Sequence, residues 1–85
     1  MYQVHFSNKV MKCLDSITSV SNQRIVEKAI GLKTDPRPVG VKLLKNKKDR
    51  SYRIRVGDYR IVYDINDVLK RVEIIDIGHR RDIYR

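Results

Sequence analysis

From Tyr2 to Phe6 apolar and polar positions alternate, with Tyr2, Val4 and Phe6 against Gln3 and His5, which is the period of a half-buried strand. Ser7 or Asn8 can cap a following helix in which Val10, Leu14 and Ile17 recur at spacings of four and three, with Met11 beside them on the same stripe. The stretch Thr18 to Asn22 breaks that pattern. A second helix is expected to start at Ser21 or Asn22 and run to about Lys33, with Ile25, Val26, Ala29 and Ile30 inward, before Asp35-Pro36-Arg37-Pro38 stops it. From Val39 the period becomes that of strands. Val41 to Leu44 is a short candidate, and Tyr52 to Val56 and Tyr59 to Ile65 flank Gly57-Asp58, a two-residue connection suited to a primed hairpin turn. Asn66-Asp67 turns the chain again, Arg71 to Ile77 is the last strand, and Gly78 punctuates it ahead of a basic tail. The expected class is α+β in the order β-α-α-β-β-β, a helical hairpin packed on one face of a small, mostly antiparallel sheet.

Eighty-five residues form one domain, 1–85, because a chain this short buries only about 60–65% of its unfolded surface and has no material for a second core. No apolar run approaches the roughly 20 residues of a membrane span, so no membrane partner is expected. The amino terminus lacks the basic and long apolar regions of a secretory signal, and the single cysteine, Cys13, cannot form an internal disulfide. A reducing, cytoplasmic location follows, with Cys13 as a small buried hydrophobe rather than a nucleophile. No Cys/His spacing offers a metal site, no glycine loop cradles a phosphate, and no Ser/His/Asp set can be assembled, so neither metal nor cofactor is expected.

Charge changes the picture most. Nineteen Lys and Arg against ten Asp and Glu leave +9, a field that attracts polyanions and makes nucleic acid the first partner to consider. The hairpin register sharpens this. With Gly57-Asp58 as the loop, Arg55 faces Arg60, Ile54 faces Ile61, Arg53 faces Val62 and Tyr52 faces Tyr63. The apolar set then turns toward the helices, while Arg53, Arg55 and Arg60 project together from the exposed opposite face. One reading makes these arginines the solvated half of an amphipathic hairpin, paired with Asp64 or Asp58. The other makes them an anion site, because like charges directly opposite cost about 0.2–1 kcal/mol that packing does not require. Lys45, Lys47 and Lys48 sit in a charged loop, either solvated surface or backbone-contacting cations. The tail Gly78-His79-Arg80-Arg81-Asp82-Ile83-Tyr84 adds phosphate-binding guanidiniums and a tyrosine able to stack on a base, a set that suits RNA. Metal-free RNA scission fits such a set, since it needs the strand aligned and the developing phosphorane charge neutralised.

Three stretches carry a family likeness: Pro36-Arg37-Pro38-x-Gly40-x-Lys42-x-Leu44, Tyr52 to Tyr63, and Ile77 to Tyr84. Together they resemble the RelE toxins of the RelE/ParE superfamily, over the whole chain. The resemblance implies the toxin of a type II toxin–antitoxin pair, a metal-free endoribonuclease that enters the ribosomal A site and cuts messenger RNA during translation, with a RelB-like antitoxin as its partner. It implies that Arg60 stabilises the transition-state phosphate, Arg80 acts as general acid toward the leaving 5′-oxygen, and Tyr84 stacks on or orients the substrate. Arg53 and Arg55 stand where well-studied members carry lysines that help deprotonate the nucleophile. A guanidinium is a poor proton acceptor and a better charge clamp, which makes His79, beside Arg80, the best titratable candidate for the base. RNA contacts are expected from Arg53, Arg55, Lys45, Lys47, Lys48 and Arg81. The alternatives are a ParE-like inhibitor of DNA gyrase, which shares the fold, and a non-catalytic RNA- or ribosome-binding module.

Overall fold

The computed structural model of the protein describes residues 1–45 and 50–79. Its elements are β1 (Gln3–Phe6), α1 (Asn8–Asp15), α2 (Ser19–Gly31), β2 (Lys42–Lys45), β3 (Arg50–Val56), β4 (Tyr59–Asn66) and β5 (Arg71–His79). The α+β plan holds, and the four strands that follow the helices include the short candidate. Five strands form one sheet in the order β1-β5-β4-β3-β2, antiparallel except where β1 runs parallel to β5. The last strand therefore inserts between the first and the fourth, and β4 becomes the centre of the sheet.

Local chemistry accounts for most boundaries. Ser7 caps α1, its Oγ accepting from the Val10 amide at 3.2 Å, so an orphan donor of the first turn is satisfied. The second helix begins at Ser19, earlier than the pattern indicates. Asn22 is inside it, and its side-chain Nδ2 donates to the Leu14 carbonyl at 2.7 Å, closing the end of α1 instead of opening α2. Between β3 and β4 the positive φ falls on Gly57 and not on Asp58, the II′ pattern whose twist matches the flanking strands.

The core lies between the helices and one sheet face, and comprises Val10, Leu14, Ile25, Ala29, Leu32, Ile54, Ile61, Tyr63, Val72, Ile74 and Ile77. Ile17 and Val26 pack against it partly buried, and two residues expected inward are instead exposed. Met11 and Ile30 are 53% and 45% exposed, because Val10 with Leu14 and Ile25 with Ala29 already supply the inward ridges at spacing four and rotate their neighbours away. Among the described residues, the pairing of β1 with β5 stops at Ile74. There Cys13 of α1 donates its thiol to the Ile77 carbonyl at 3.0 Å. Burial pushes the Cys13 thiol pKa up and nearby Asp76 adds to that, against a smaller opposing effect of Lys9, as befits a packing residue.

A network that no sequence pattern announced ties the connection from α2 to β2 onto the sheet. The Tyr63 phenol donates to the Pro36 carbonyl at 2.8 Å, and burial raises its pKa well above the ordinary value. Arg37 grips Asp67 with both terminal nitrogens (3.3 and 3.0 Å), donates Nε to the Tyr52 hydroxyl and lies over the Tyr52 ring. Tyr2 donates to the same carboxylate at 2.7 Å, and Tyr52 stacks on Tyr63. Residues 36–41 are thus strapped around the sheet, and a turn from the Val41 amide to the Pro38 carbonyl leads directly into β2.

Candidate nucleic-acid site

The hairpin pairs as expected: Tyr52 with Tyr63, Arg53 with Val62, Ile54 with Ile61, Arg55 with Arg60 and Val56 with Tyr59. β2 then adds Lys42 opposite Arg53. Alternation places Lys42, Arg53, Arg55 and Arg60 on one face of three adjacent strands, away from the helices. Together with Gly40, these four cations line a cavity of about 310 Å³. Gly40 has φ of +93°, a conformation that disfavours a side chain, and it lets the strap close one wall.

Arg60 corrects the expectation of an exposed hairpin arginine. Its residue is 4% exposed, whereas Arg55 is open to solvent and Arg53 half-buried. The reason is topological: β4 is the central strand, and Arg60 lies between Arg55 of β3 and Gly78 of β5. Gly78 does not end the last strand. It pairs directly with Arg60 and offers no side chain there, leaving that lane to the guanidinium.

That placement also corrects the expectation for His79. It pairs with Tyr59, and the two rings meet edge to face with centroids 5.4 Å apart. Tyr59 packs against the core, so period two turns the imidazole to the opposite side of the sheet from Arg60, and His79 is absent from the cavity wall. His5 is farther still, paired with Glu73 across β1 and β5. Arg80, Arg81, Tyr84, Lys47, Lys48 and the Lys45 side chain lie outside the described residues. Lys42 is the site residue that sequence reasoning missed, although its spacing from Arg53 across the charged loop was the available signal.

Such a wall can hold an anion. Three guanidiniums provide forked donors for phosphate oxygens, and the buried one acts where water screens it least. Among the described residues no group of three or more His, Cys, Asp or Glu is arranged to hold a metal ion, and no helix is long and apolar enough to cross a membrane.

The family described as the ParE toxin of the type II toxin–antitoxin system parDE matches residues 4–84. The chain belongs to this family, as a RelE-type toxin of the RelE/ParE superfamily. Toxin RelG of Mycobacterium tuberculosis is 34% identical over 85 residues, covering 99% of this chain and 97% of that one. Among solved structures, the archaeal RelE–RelB complex from Pyrococcus horikoshii superposes with a TM-score of 0.82 at 31% identity, covering 93% of this chain and 94% of its match. The RelBE2 toxin–antitoxin complex of Mycobacterium tuberculosis gives the same TM-score at 28% identity, covering 93% and 98%. In this RelE-type toxin the cation-lined cavity occupies the sheet face that the helices leave open.

Proposed function

We propose that this toxin is a metal-independent endoribonuclease that enters the A site of a translating ribosome and cuts the message by attack of a ribose 2′-hydroxyl on the adjacent phosphate. The observation that carries this reading is the cavity of Lys42, Arg53, Arg55 and Arg60, which concentrates positive charge where a phosphorane would form. Arg60, fixed by burial, stabilises the charge that develops on the phosphoryl oxygens. Arg53 and Arg55 clamp the backbone in line. Arg80 protonates the leaving 5′-oxygen and Tyr84 stacks on the substrate, roles that rest on the likeness to RelE toxins. Lys45, Lys47, Lys48 and Arg81 contact the RNA backbone.

Dependence on the ribosome is supported by the make-up of the wall. None of the described residues that line the cavity is aromatic, so this wall grips phosphate and leaves stacking to a single tyrosine, Tyr84, too little to straighten a flexible strand. The ribosome supplies that alignment. A RelB-like antitoxin is the proposed cytoplasmic partner, supported by relatives solved as RelE–RelB complexes, and the +9 charge speeds association with an acidic partner.

The test adds purified toxin to a translating extract and maps message 5′ ends by primer extension. Codon-phased cuts at the A site are expected. Intact message together with gyrase-dependent DNA breaks would replace this reading with a ParE-like one, and cuts of equal rate in naked message would remove the ribosome from it.

A further inference from the structure

Scission through a 2′-hydroxyl needs a group to take the hydroxyl proton, and the cavity narrows the choice. A guanidinium keeps its proton in proteins, which removes Arg53, Arg55 and Arg60. His79 faces the other side of the sheet, stacked edge to face with Tyr59, and His5 is paired with Glu73 on the far strand. Among the described residues that line the cavity, Lys42 alone carries a group whose unprotonated form can accept a proton. Its position is also braced. It is exposed at the start of β2, two residues beyond Gly40, opposite Arg53, and the strap that delivers it is held by the Tyr63 phenol on Pro36 and by Arg37 on Asp67.

We propose that Lys42 is a catalytic residue of this cavity, its Nζ accepting the proton of the attacking ribose hydroxyl. The proposal rests on the endoribonuclease reading above. The step requires the Lys42 amine unprotonated: the 2′ O–H bond breaks and its proton passes to Nζ, which becomes an ammonium. The freed electron pair forms the O2′–P bond, the P–O5′ bond breaks, and its pair leaves on O5′, which takes a proton from the general acid. The products are a 2′,3′-cyclic phosphate and a 5′-hydroxyl, with no oxidant or metal consumed. Arg53, directly across the strand pair, holds the phosphate while Lys42 reaches the neighbouring hydroxyl. In this chain the base and the clamp therefore sit on different strands.

The experiment measures single-turnover cleavage on programmed ribosomes for wild type, Lys42→Arg and Lys42→Ala, with ribosome binding measured alongside. Lys42→Arg keeps the charge and loses the base. It is expected to retain binding within about threefold and to lose at least about 100-fold in rate, close to the loss in Lys42→Ala, as for removal of a general base. Ethylamine should restore part of the Lys42→Ala rate, with more basic primary amines restoring more, whereas tetramethylammonium should restore none. A Lys42→Arg rate within about threefold of wild type, or equal rescue by tetramethylammonium, would reduce Lys42 to a charge and overturn the proposal. Failure of wild type itself to cut the programmed message would instead overturn the endoribonuclease reading, and the assignment of Lys42 with it.

Discussion

Arg60→Met separates function from stability. Arginine 60 is 4% exposed on the central strand, with Arg55 directly opposite and Arg53 and Lys42 on the same face. Each directly opposed like charge costs about 0.2–1 kcal/mol, and a buried guanidinium also carries a desolvation cost of several kcal/mol that its contacts must offset. Methionine retains the unbranched stem and fills much of the same volume while removing the charge. Relief of the repulsion among the four cations and of the guanidinium's desolvation works against the loss of the contacts that Arg60 makes. The expected result is an unfolding free energy within about 1 kcal/mol of wild type, because these effects offset. For a domain of this size, each kcal/mol is about 4–8 °C in melting temperature. Cleavage on ribosomes should fall about 100- to 1,000-fold, as when a preorganised donor to a developing oxyanion is removed. Urea unfolding and single-turnover cleavage of the same preparations provide both numbers. Raising salt should shift the balance toward wild type, because screening weakens the repulsion the variant relieves. A loss of 2 kcal/mol or more in Arg60→Met would refute the argument, since the contacts of the guanidinium would then outweigh its repulsion and desolvation.

Other expectations follow from single contacts. Ile61→Ala, at a fully buried position of β4, should cost about 2–5 kcal/mol in urea unfolding, unlike Arg60→Met on the adjoining residue. Tyr63→Phe removes the donor to the Pro36 carbonyl and should cost about 1–3 kcal/mol, with faster amide exchange in residues 36–41 as the sign that the strap has loosened. Asp67 has its pKa lowered by its hydrogen bond from Arg37 and secondarily by that from Tyr2. Its contribution to stability is therefore present above about pH 4 and is lost as pH falls through the depressed value. Asp67→Asn should flatten that acid limb of a stability-versus-pH curve, and an unchanged limb would contradict the assignment. Cys13, its thiol raised mainly by burial, should react with iodoacetamide more slowly in the native protein than in urea-unfolded chain at the same pH.

The hairpin was legible because two local signals agree. Gly57-Asp58 admits a tight primed turn, and strict alternation on both sides leaves one register that buries the apolar set. That reading located the arginine face but not its depth. Depth depends on which strand is central, and the insertion of β5 between β1 and β4 is a long-range choice that no short window encodes. The side of His79 is hidden in a related way: a glycine in sequence signals a strand end, and only the pairing of Gly78 with Arg60 fixes the parity that turns His79 to the core side. The strap leaves no local signal, because its partners, Arg37 with Asp67 and Tyr2 with Asp67, are 30 and 65 residues apart in sequence. The motif around Gly40 gives Lys42 no partner in sequence, and only the pairing of β2 with β3 brings it beside Arg53.

In the proposed reaction the cation-lined cavity promotes attack by the message's own ribose hydroxyl while the ribosome holds the strand. A message with a single 2′-deoxy nucleotide at the mapped cleavage position, loaded on programmed ribosomes, tests this most directly. The account predicts that cutting at that position stops while toxin binding persists, and that the all-ribose message yields a 2′,3′-cyclic phosphate and a 5′-hydroxyl. Cutting of the deoxy-substituted message at an undiminished rate would contradict it.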